Sequence, residues 1–222
     1  MKFTKILVAN RGEIALRIMR TAREMGIKTV AVYSEADRNA LHVRYADEAV
    51  LIGPAPSNQS YLVIDKIIDA ALRTGAQAIH PGYGFLSENA VFAREVKKQG
   101  LVLIGPSPEA MEMMGSKLAA KAAAKQYNIP LVPGTDYAIS DIQEAKKVAK
   151  EVGFPILIKA SAGGGGKGMR IVEQEDQFEE MLQRAVSEAM SAFGDGSVFI
   201  DRYVGSPRHI EIQVLRDTQG NV

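Results

Sequence analysis

The chain has 222 residues, of which 46% are hydrophobic and 24% are charged, and its formal net charge is +1 at pH 7. This composition is typical of a globular protein that forms one large domain or two smaller ones. The balanced charge gives no basic excess for nucleic acid or a membrane surface, so neither partner is expected. The absence of cysteine excludes disulfides and thiolate chemistry. With no signal-peptide core and no membrane-spanning window, we expect a cytoplasmic protein.

The first half of the sequence alternates strand patterns with helix patterns. The hydrophobic periodicity predicts strands at 5–9, 28–34, 76–80 and 101–104, and helices at 13–25, 61–74 and 89–99. The apolar stripe of the first helix is predicted at Ile14, Ile18, Ala22 and Met25. The helices are followed by glycines that can end them, namely Gly26, Gly75 and Gly100. This alternation predicts a parallel sheet covered by helices on both faces.

Two polar segments that contain glycine follow predicted strands directly. Asn10-Arg11-Gly12-Glu13 comes after the first strand, and His80-Pro81-Gly82-Tyr83-Gly84 comes after the third. Ligands of open parallel sheets bind at the carboxyl ends of the strands, so we expect both segments at that edge. The second segment also suits a tight turn with no functional role, and the sequence leaves that alternative open.

The composition changes near residues 105–108, and we place a domain boundary after Met114. After the turn cluster at 105–108 the patterns predict one or two helices at 109–127 and an extended connector at 129–134. Further helices are predicted at 142–152 and 175–193, and strands at 155–160, 169–173, 197–200 and 208–215. No internal repeat and no low-complexity tract interrupts them.

A glycine-rich segment at 159–170 lies between two of these strands. It holds five glycines, and Lys159 and Lys167 flank its run of four. Glycine lets backbone N–H groups approach an anion, and lysine supplies compact positive charge, so the segment predicts a binding site for nucleotide phosphates. A strand rather than a helix follows it, which excludes the dinucleotide-binding motif. The P-loop pattern fails because no glycine precedes at the required spacing and Gly168 stands where Ser or Thr is required. A merely flexible linker is the alternative.

The strand before the glycines carries a lysine within an apolar run. Period two puts Leu157, Lys159 and Ser161 on one face, and the isoleucines of the strand on the other. Such a lysine either reaches water or meets an anion. The neighbouring glycine segment favours the anion.

Other polar residues carry weaker signals. His209, Glu211 and Gln213 share one face of the last predicted strand, where a simple solvated face is an equal alternative. Lys117 and Lys121 lie in a run predicted to be helical, where solvated lysines are the ordinary expectation.

Five segments taken together resemble the biotin carboxylase component of biotin-dependent acyl-CoA carboxylases, a family of the ATP-grasp superfamily. They are the residues 10–15, 80–89, 114–117, 159–170 and 207–214. The resemblance covers the whole chain and implies an α/β fold in two parts. Residues 1–114 would form a Rossmann-like, parallel-sheet pre-ATP-grasp domain. Residues 115–222 would form the N-terminal part of a truncated α+β ATP-grasp domain, with its glycine-rich lid at about 130–203.

The resemblance also implies an activity, which is the carboxylation of biotin with ATP and bicarbonate. ATP, Mg²⁺, bicarbonate and carrier-linked biotin would be the ligands. The partners would be a second copy of the parent protein, a biotin carboxyl carrier domain and a carboxyltransferase subunit. The acceptor would be of the acetyl-, propionyl- or methylcrotonyl-CoA type, and the sequence does not choose among them.

The resemblance assigns two sets of site residues. The ATP-binding set is Lys117, Lys159, Gly164, Gly165, Gly166, Met169, Asp201, Tyr203, Val204 and His209. Tyr83 and Gly84 would lie on the biotin side. No catalytic residue and no metal ligand is assigned, because the acidic Mg²⁺ ligands of the family belong to a part of the ATP-grasp domain beyond Val222. We therefore expect a piece of a longer protein that is inactive by itself. Asp201-Arg202 departs from the Glu-Lys that similar proteins have.

Two other functions are compatible with parts of the sequence. Another ATP-grasp ligase, such as a carbamoyl-phosphate synthetase, would share the phosphate grip but would not respond to biotin. A nonenzymatic assembly module would form a dimer indifferent to ATP. The segment from His80 to Asn89 favours the carboxylase over both.

Overall fold

The structure, a computed structural model, describes residues 3–115, 117–161, 169–217 and 219–222. The chain divides into two compact units, Met1–Ala120 and Lys121–Val222. The boundary predicted after Met114 stays a prediction. None of the described helices has the length and the apolar composition that a membrane crossing requires.

The first unit is built on a parallel sheet. Its strands are β1 (Lys5–Val8), β2 (Lys28–Ser34), β3 (Glu48–Gly53), β4 (Ala78–His80) and β5 (Val102–Leu103). Its helices are α1 (Gly12–Glu24), α2 (Leu41–Tyr45), α3 (Ile64–Thr74), α4 (Ala90–Lys98) and α5 (Pro108–Gly115). The strand order is β3-β2-β1-β4-β5, and every pairing is parallel. The predicted parallel α/β sheet is confirmed.

Helices cover both faces of this sheet, as the alternating pattern predicted. One face packs against α3 and α4 in a cluster that includes Leu7, Val30, Ile79, Ile67 and Phe92. The other face packs against α1 through Val8, Ala31, Ala15 and Met19. Because β1 pairs with β2 on one side and β4 on the other, the strand order reverses between β1 and β4. Open α/β sheets bind ligands at such a point.

Three details of the first unit differ from the sequence prediction. The prediction missed α2 and β3, although β3 holds the unbroken apolar run from Ala49 to Ile52; it is an edge strand whose side chains, except that of Ile52, are exposed or half-buried. It began α3 at Tyr61, which lies outside that helix and is 2% exposed. It also placed Met25 on the buried stripe of α1, but Met25 is 58% exposed because the stripe follows Ala15, Met19 and Ala22.

The second unit packs helices against a small antiparallel sheet. Its elements are α6 (Lys117–Gln126, which begins before the unit boundary), α7 (Ile142–Val152), β6 (Ile156–Ala160), β7 (Met169–Val172), α8 (Phe178–Phe193) and β8 (Val198–Arg202). The strand order is β7-β6-β8. Ile156, Ile158, Val198 and Ile200 form the buried face, and they belong to one cluster with residues of α7 and α8. The β6–β7 pairing confirms the predicted strand-loop-strand hairpin; its glycines at 163–166 and 168 lie outside the described residues.

The strand predicted at 208–215 is wrong. The described residues from 203 onward form no strand, and Ile210 and Ile212 are 79% and 84% exposed. Alternation alone does not make a strand, because sheet stability comes from cross-strand neighbours. No described strand pairs with this segment.

Candidate functional site

Asn10 fastens the loop after β4 to the end of β1. Its side-chain amide donates to the carbonyl oxygen of Pro81 at 2.7 Å and to that of Tyr83 at 2.8 Å. Its Oδ1 accepts from the backbone N–H of Arg11 at 2.9 Å. Asn10 is 3% exposed, and a Cβ at Gly82 would lie 2.8 Å from its Nδ2. The two polar segments therefore meet at the carboxyl edge of the sheet, as predicted. We call residues 10–13 and 80–85 the switch-point edge.

A buried carboxylate, Asp37, stabilises the same edge. Arg11 donates to it from Nε at 2.7 Å and from Nη2, Tyr61 donates its hydroxyl at 2.7 Å, and Ser34 donates Oγ at 3.1 Å. These hydrogen bonds, with that of Arg11 the strongest, hold the pKa of Asp37 at about 2. Burial and the bond to Asp37 raise the pKa of Tyr61 to about 12. Neither group titrates near neutral pH, so the cluster is suited to holding geometry rather than to transferring protons.

The network extends from Tyr61 into the loop after β4. The ring of Tyr61 stacks on that of Phe85, with centroids 5.0 Å apart and planes 5° from parallel. Phe85 has a φ of +43°, a conformation that costs energy for a side chain of its size and is kept only where the surroundings fix it. Sequence reasoning missed Asp37, Tyr61 and Phe85 as a cluster. They follow different strands, and no local pattern separates a buried aspartate from an exposed one.

Tyr83 and Gly84, the residues predicted on the biotin side, lie on this loop. Tyr83 is 61% exposed, and its hydroxyl donates to the Glu13 carboxylate, which raises the pKa of Tyr83. Gly84 has a φ of +66°. His80 accepts a hydrogen bond at Nδ1 from the N–H of Gly82 at 3.1 Å, and burial lowers the pKa of His80, which keeps its ring neutral. The structure thus gives Tyr83 a fixed neighbour, and its role toward biotin stays a prediction.

In the second unit, Lys159 and Asp201 lie on the sheet face opposite the isoleucine core. Lys159 is opposite Phe199, and Leu157 is opposite Asp201 in the register of β6 and β8. The predicted separation of the two faces of β6 is confirmed, since Ile156 and Ile158 are fully buried. Lys159 Nζ lies 2.9 Å from Asp201 Oδ2, and their side chains are 33% and 9% exposed. We call Leu157, Lys159, Phe199 and Asp201, together with Lys121, which contacts Asp201 from α6, the lysine face.

Lys121, on α6, reaches the same carboxylate. Its Nζ lies 2.9 Å from Asp201 Oδ1 and donates to the carbonyl oxygen of Thr135 at 2.8 Å. Its side chain is only 27% exposed, so the expectation of a solvated Lys121 is wrong. The sequence held no signal for this contact, because 80 residues separate Lys121 from Asp201. Two ammonium groups share one carboxylate here, and the three side chains together carry one net positive charge.

Of the other predicted ATP-binding residues, some lie beside the lysine face and others do not. Met169 begins β7 opposite Lys159 and is 40% exposed. Tyr203 follows β8 and donates its N–H to the carbonyl oxygen of Pro155 at 2.9 Å, and Val204 is 49% exposed. His209 is exposed and pairs with Glu211 at 2.8 Å; no described hydrogen bond joins it to the lysine face. Gly164, Gly165, Gly166 and the side chain of Lys117 lie outside the described residues.

The arrangement suits an anion rather than a metal ion. A phosphate needs fixed positive charge, and the lysine face offers it next to the beginning of the glycine segment. Mg²⁺ needs free carboxylate oxygens, but both oxygens of Asp201 are engaged by lysines. The described part of the chain holds no cluster of three histidine or acidic side chains that could bind a metal. The described residues therefore do not fit a magnesium site.

Two family models match the chain one after the other. Residues 2–111 match the biotin carboxylase N-terminal domain. Residues 116–222 match the ATP binding domain of the carbamoyl-phosphate synthase L chain.

Curated relatives match nearly the whole chain. The biotin carboxylase of Haemophilus influenzae is 55% identical over 218 residues, which are 98% of this chain and 49% of that protein. The propionyl-CoA carboxylase alpha chain of Ruegeria pomeroyi is 55% identical over 219 residues, 99% of this chain and 32% of that protein. One pyruvate carboxylase subunit of Methanothermobacter thermautotrophicus is 57% identical over 221 residues, 99% of this chain and 45% of that protein. The chain spans half or less of the length of these relatives.

Solved structures agree with these relatives. A biotin carboxylase complex with β,γ-ATP from Campylobacter jejuni is 51% identical, with a TM-score of 0.88, over 99% of this chain and 49% of that one. The biotin carboxylase domain dimer of the Hydrogenobacter thermophilus 2-oxoglutarate carboxylase, in complex with MgADP, ADP and bicarbonate, is 48% identical, with a TM-score of 0.79. That match covers 92% of this chain and 45% of the other.

Proposed function

Because the chain belongs to the biotin carboxylase family, we propose that it supplies half of an ATP-dependent biotin carboxylation site and that residues 115–222 are the N-terminal part of its ATP-grasp domain. In the proposed reaction ATP and bicarbonate provide the activated carboxyl group that biotin receives. The parent protein is then an ATP-dependent ligase, and this chain by itself is inactive.

The observation that carries the proposal is the lysine face at the base of the glycine hairpin. Lys159 precedes the glycines on β6, and Met169 follows them on β7, directly opposite Lys159. Enzymes accelerate phosphoryl transfer mainly by positioning and by spreading positive charge around the phosphates. Lys159 on a paired strand supplies the positive charge, and the glycine-rich sequence that follows it offers backbone N–H groups to the phosphates.

The site residues of the proposal follow the family resemblance. The phosphates would contact Lys117, Lys159, Gly164, Gly165 and Gly166. The remaining nucleotide contacts would come from Met169, Asp201, Tyr203, Val204 and His209. Tyr83 and Gly84 would serve the biotin side. Mg²⁺ and bicarbonate, which the Hydrogenobacter thermophilus complex contains, would be held by residues beyond this chain.

The partners of the proposed enzyme also come from its relatives. The Hydrogenobacter thermophilus domain is described as a dimer, which supports a dimeric parent protein. A biotin carboxyl carrier domain and a carboxyltransferase subunit would complete the carboxylase. Propionyl-CoA and pyruvate carboxylases match at 55% and 57% identity, so identity does not select the final acceptor. The proposal is therefore limited to biotin carboxylation, and a cytoplasmic location stays a prediction.

The rival ligase is tested in the same assay as the carboxylase. The match of residues 116–222 to an ATP-binding domain of carbamoyl-phosphate synthase fits either enzyme, whereas the match of residues 2–111 favours the carboxylase. ATP hydrolysis by the full-length product of the gene should require bicarbonate and rise with free biotin. Hydrolysis that does not change with biotin, together with formation of carbamoyl phosphate when ammonia is added, would identify a carbamoyl-phosphate synthetase instead. Turnover by the 222-residue chain would contradict its expected inactivity. A dimer that binds no ATP would favour the assembly module.

A further inference from the structure

We infer that Lys121 is a positioning residue for Lys159 in ATP binding, and that it acts through the carboxylate of Asp201. The inference deepens the proposed function and rests on it. Neither lysine needs to touch the other for this role, because each holds a different oxygen of the same side chain.

The geometry around Asp201 is tightly specified. Asp201 is 6% exposed, and its two oxygens each lie 2.9 Å from an ammonium nitrogen. Lys121 is held a second time by the carbonyl oxygen of Thr135, and Thr135 is itself only 4% exposed. The Oγ1 of Thr135 also accepts the N–H of Ile200, the residue before Asp201 on β8. Lys121 is thus anchored beside Asp201 by contacts that do not involve Lys159.

Two ammonium groups share the one carboxylate of Asp201, and this affects how Lys159 can bind a ligand. If Asp201 had Lys159 as its sole partner, the pair would be neutral, and an incoming phosphate would have to compete with a buried carboxylate for the ammonium group. Leaving a buried carboxylate without a counter-charge is strongly unfavourable. Because Lys121 stays on Asp201, Lys159 can turn to an anion while the carboxylate remains compensated. Lys121 should therefore lower the cost of freeing Lys159.

A second lysine on α6 provides the matched comparison. Lys125 follows Lys121 by one helical turn, and its Nζ lies 3.4 Å from Asp136. The Lys125 and Asp136 side chains are 75% and 57% exposed. Exposed pairs of this kind contribute little, because water screens them. Lys125 therefore controls for the loss of one positive charge from the same helix.

The first experiment measures the affinity of the full-length product of the gene for MgATP by calorimetry. We expect Lys121→Met, which keeps the apolar stem, to weaken binding about tenfold, a size typical of coupling between charged neighbours. Lys121→Arg keeps the charge and should stay within about threefold of the unaltered protein. Lys125→Met should stay within about twofold. The KM for free biotin should change in none of the three.

A double-mutant cycle separates charge balance from a purely structural role. In an Asp201→Asn background the carboxylate that needs compensation is gone, so adding Lys121→Met should weaken MgATP binding by less than about threefold. The same tenfold loss in that background, or unchanged affinity of Lys121→Met alone, would overturn the inference. If the unaltered protein bound no MgATP, the proposed function would fail and the inference with it. If the unaltered protein binds MgATP and Lys121→Met binds it with the same affinity, the inference fails but the proposed function stands.

Discussion

The switch-point edge and the lysine face use polar side chains in opposite ways. At the switch-point edge, Asn10 and the nearby Asp37 are buried. The amide of Asn10 donates to two backbone carbonyls, and the carboxylate of Asp37 accepts from Arg11 and Tyr61, all within the same unit. On the lysine face, one buried carboxylate serves two ammonium groups that remain about one third exposed. The first arrangement is closed and fixes a loop. The second leaves a positive charge available for a ligand.

This difference predicts where substitutions act. Removing a group from the switch-point edge leaves buried polar partners unsatisfied, and such groups cost about 1 to 3 kcal/mol each. Removing a lysine from the lysine face leaves Asp201 with its other lysine, so little folding energy is lost. Substitutions at the edge should change the free energy of unfolding, and those on the lysine face should change nucleotide binding.

The largest effect is expected for Asp37→Ala. Tyr61 and Ser34 would lose their acceptor, and Arg11 would lose its carboxylate partner. We expect the free energy of unfolding in urea to fall by about 3 kcal/mol. Asp69→Ala is the control, because Asp69 forms an exposed pair with Arg73 on α3 and should cost less than about 0.5 kcal/mol. Equal losses for the two variants would show that the buried network does not stabilise this unit.

The next effect is expected for Asn10→Ala. The variant would leave the carbonyl oxygens of Pro81 and Tyr83 without their donor, at a cost of about 2 kcal/mol in unfolding free energy. Asn10→Asp is the sharper comparison, because it keeps the acceptor for the N–H of Arg11 and removes both donors. We expect Asn10→Asp to be at least as destabilising as Asn10→Ala. A stable Asn10→Asp protein would mean that the loop is held by Gly82 and Phe85 without the amide.

A smaller effect is expected from pH. The pKa of Asp37 is about 2 in the folded protein against an ordinary 3.8, so its contribution to stability is complete above the ordinary value and is lost as the pH falls toward 2. Between about pH 5 and about pH 3 this loss is about 1 kcal/mol. The stability difference between the unaltered protein and Asp37→Asn should narrow by that amount over the same range. A difference independent of pH would contradict the assignment of the lowered pKa to Asp37.

Sequence reasoning recovered the features that depend on local periodicity. The parallel sheet, the hairpin around the glycines and the two faces of β6 all follow from the repeat of apolar residues, and the structure confirms them. The meeting of the segments after β1 and β4 was predictable as well, because parallel strands present their carboxyl ends at one edge.

Features that depend on distant partners were not recoverable. Asp37 and Tyr61 are 24 residues apart, and Lys121 and Asp201 are 80 apart. Neither pair falls within the short windows in which periodicity is read. The wrong prediction of a strand at 208–215 has the same cause, because a strand also depends on a distant partner. Its alternation was real, but a strand requires a neighbour, and none of the described strands provides one.

The smallest change in stability is expected for Lys159→Ala, and it tests the comparison most directly. Asp201 would keep Lys121 at 2.9 Å and would remain compensated, so the free energy of unfolding should change by about 0.5 kcal/mol or less. MgATP affinity of the full-length product should nevertheless fall, because the proposed phosphate contact is gone. Calorimetry and urea unfolding on the same preparation separate these effects. A large loss of stability with unchanged affinity would reverse the comparison, since Lys159 would then belong with Asn10 and Asp37 as part of the scaffold.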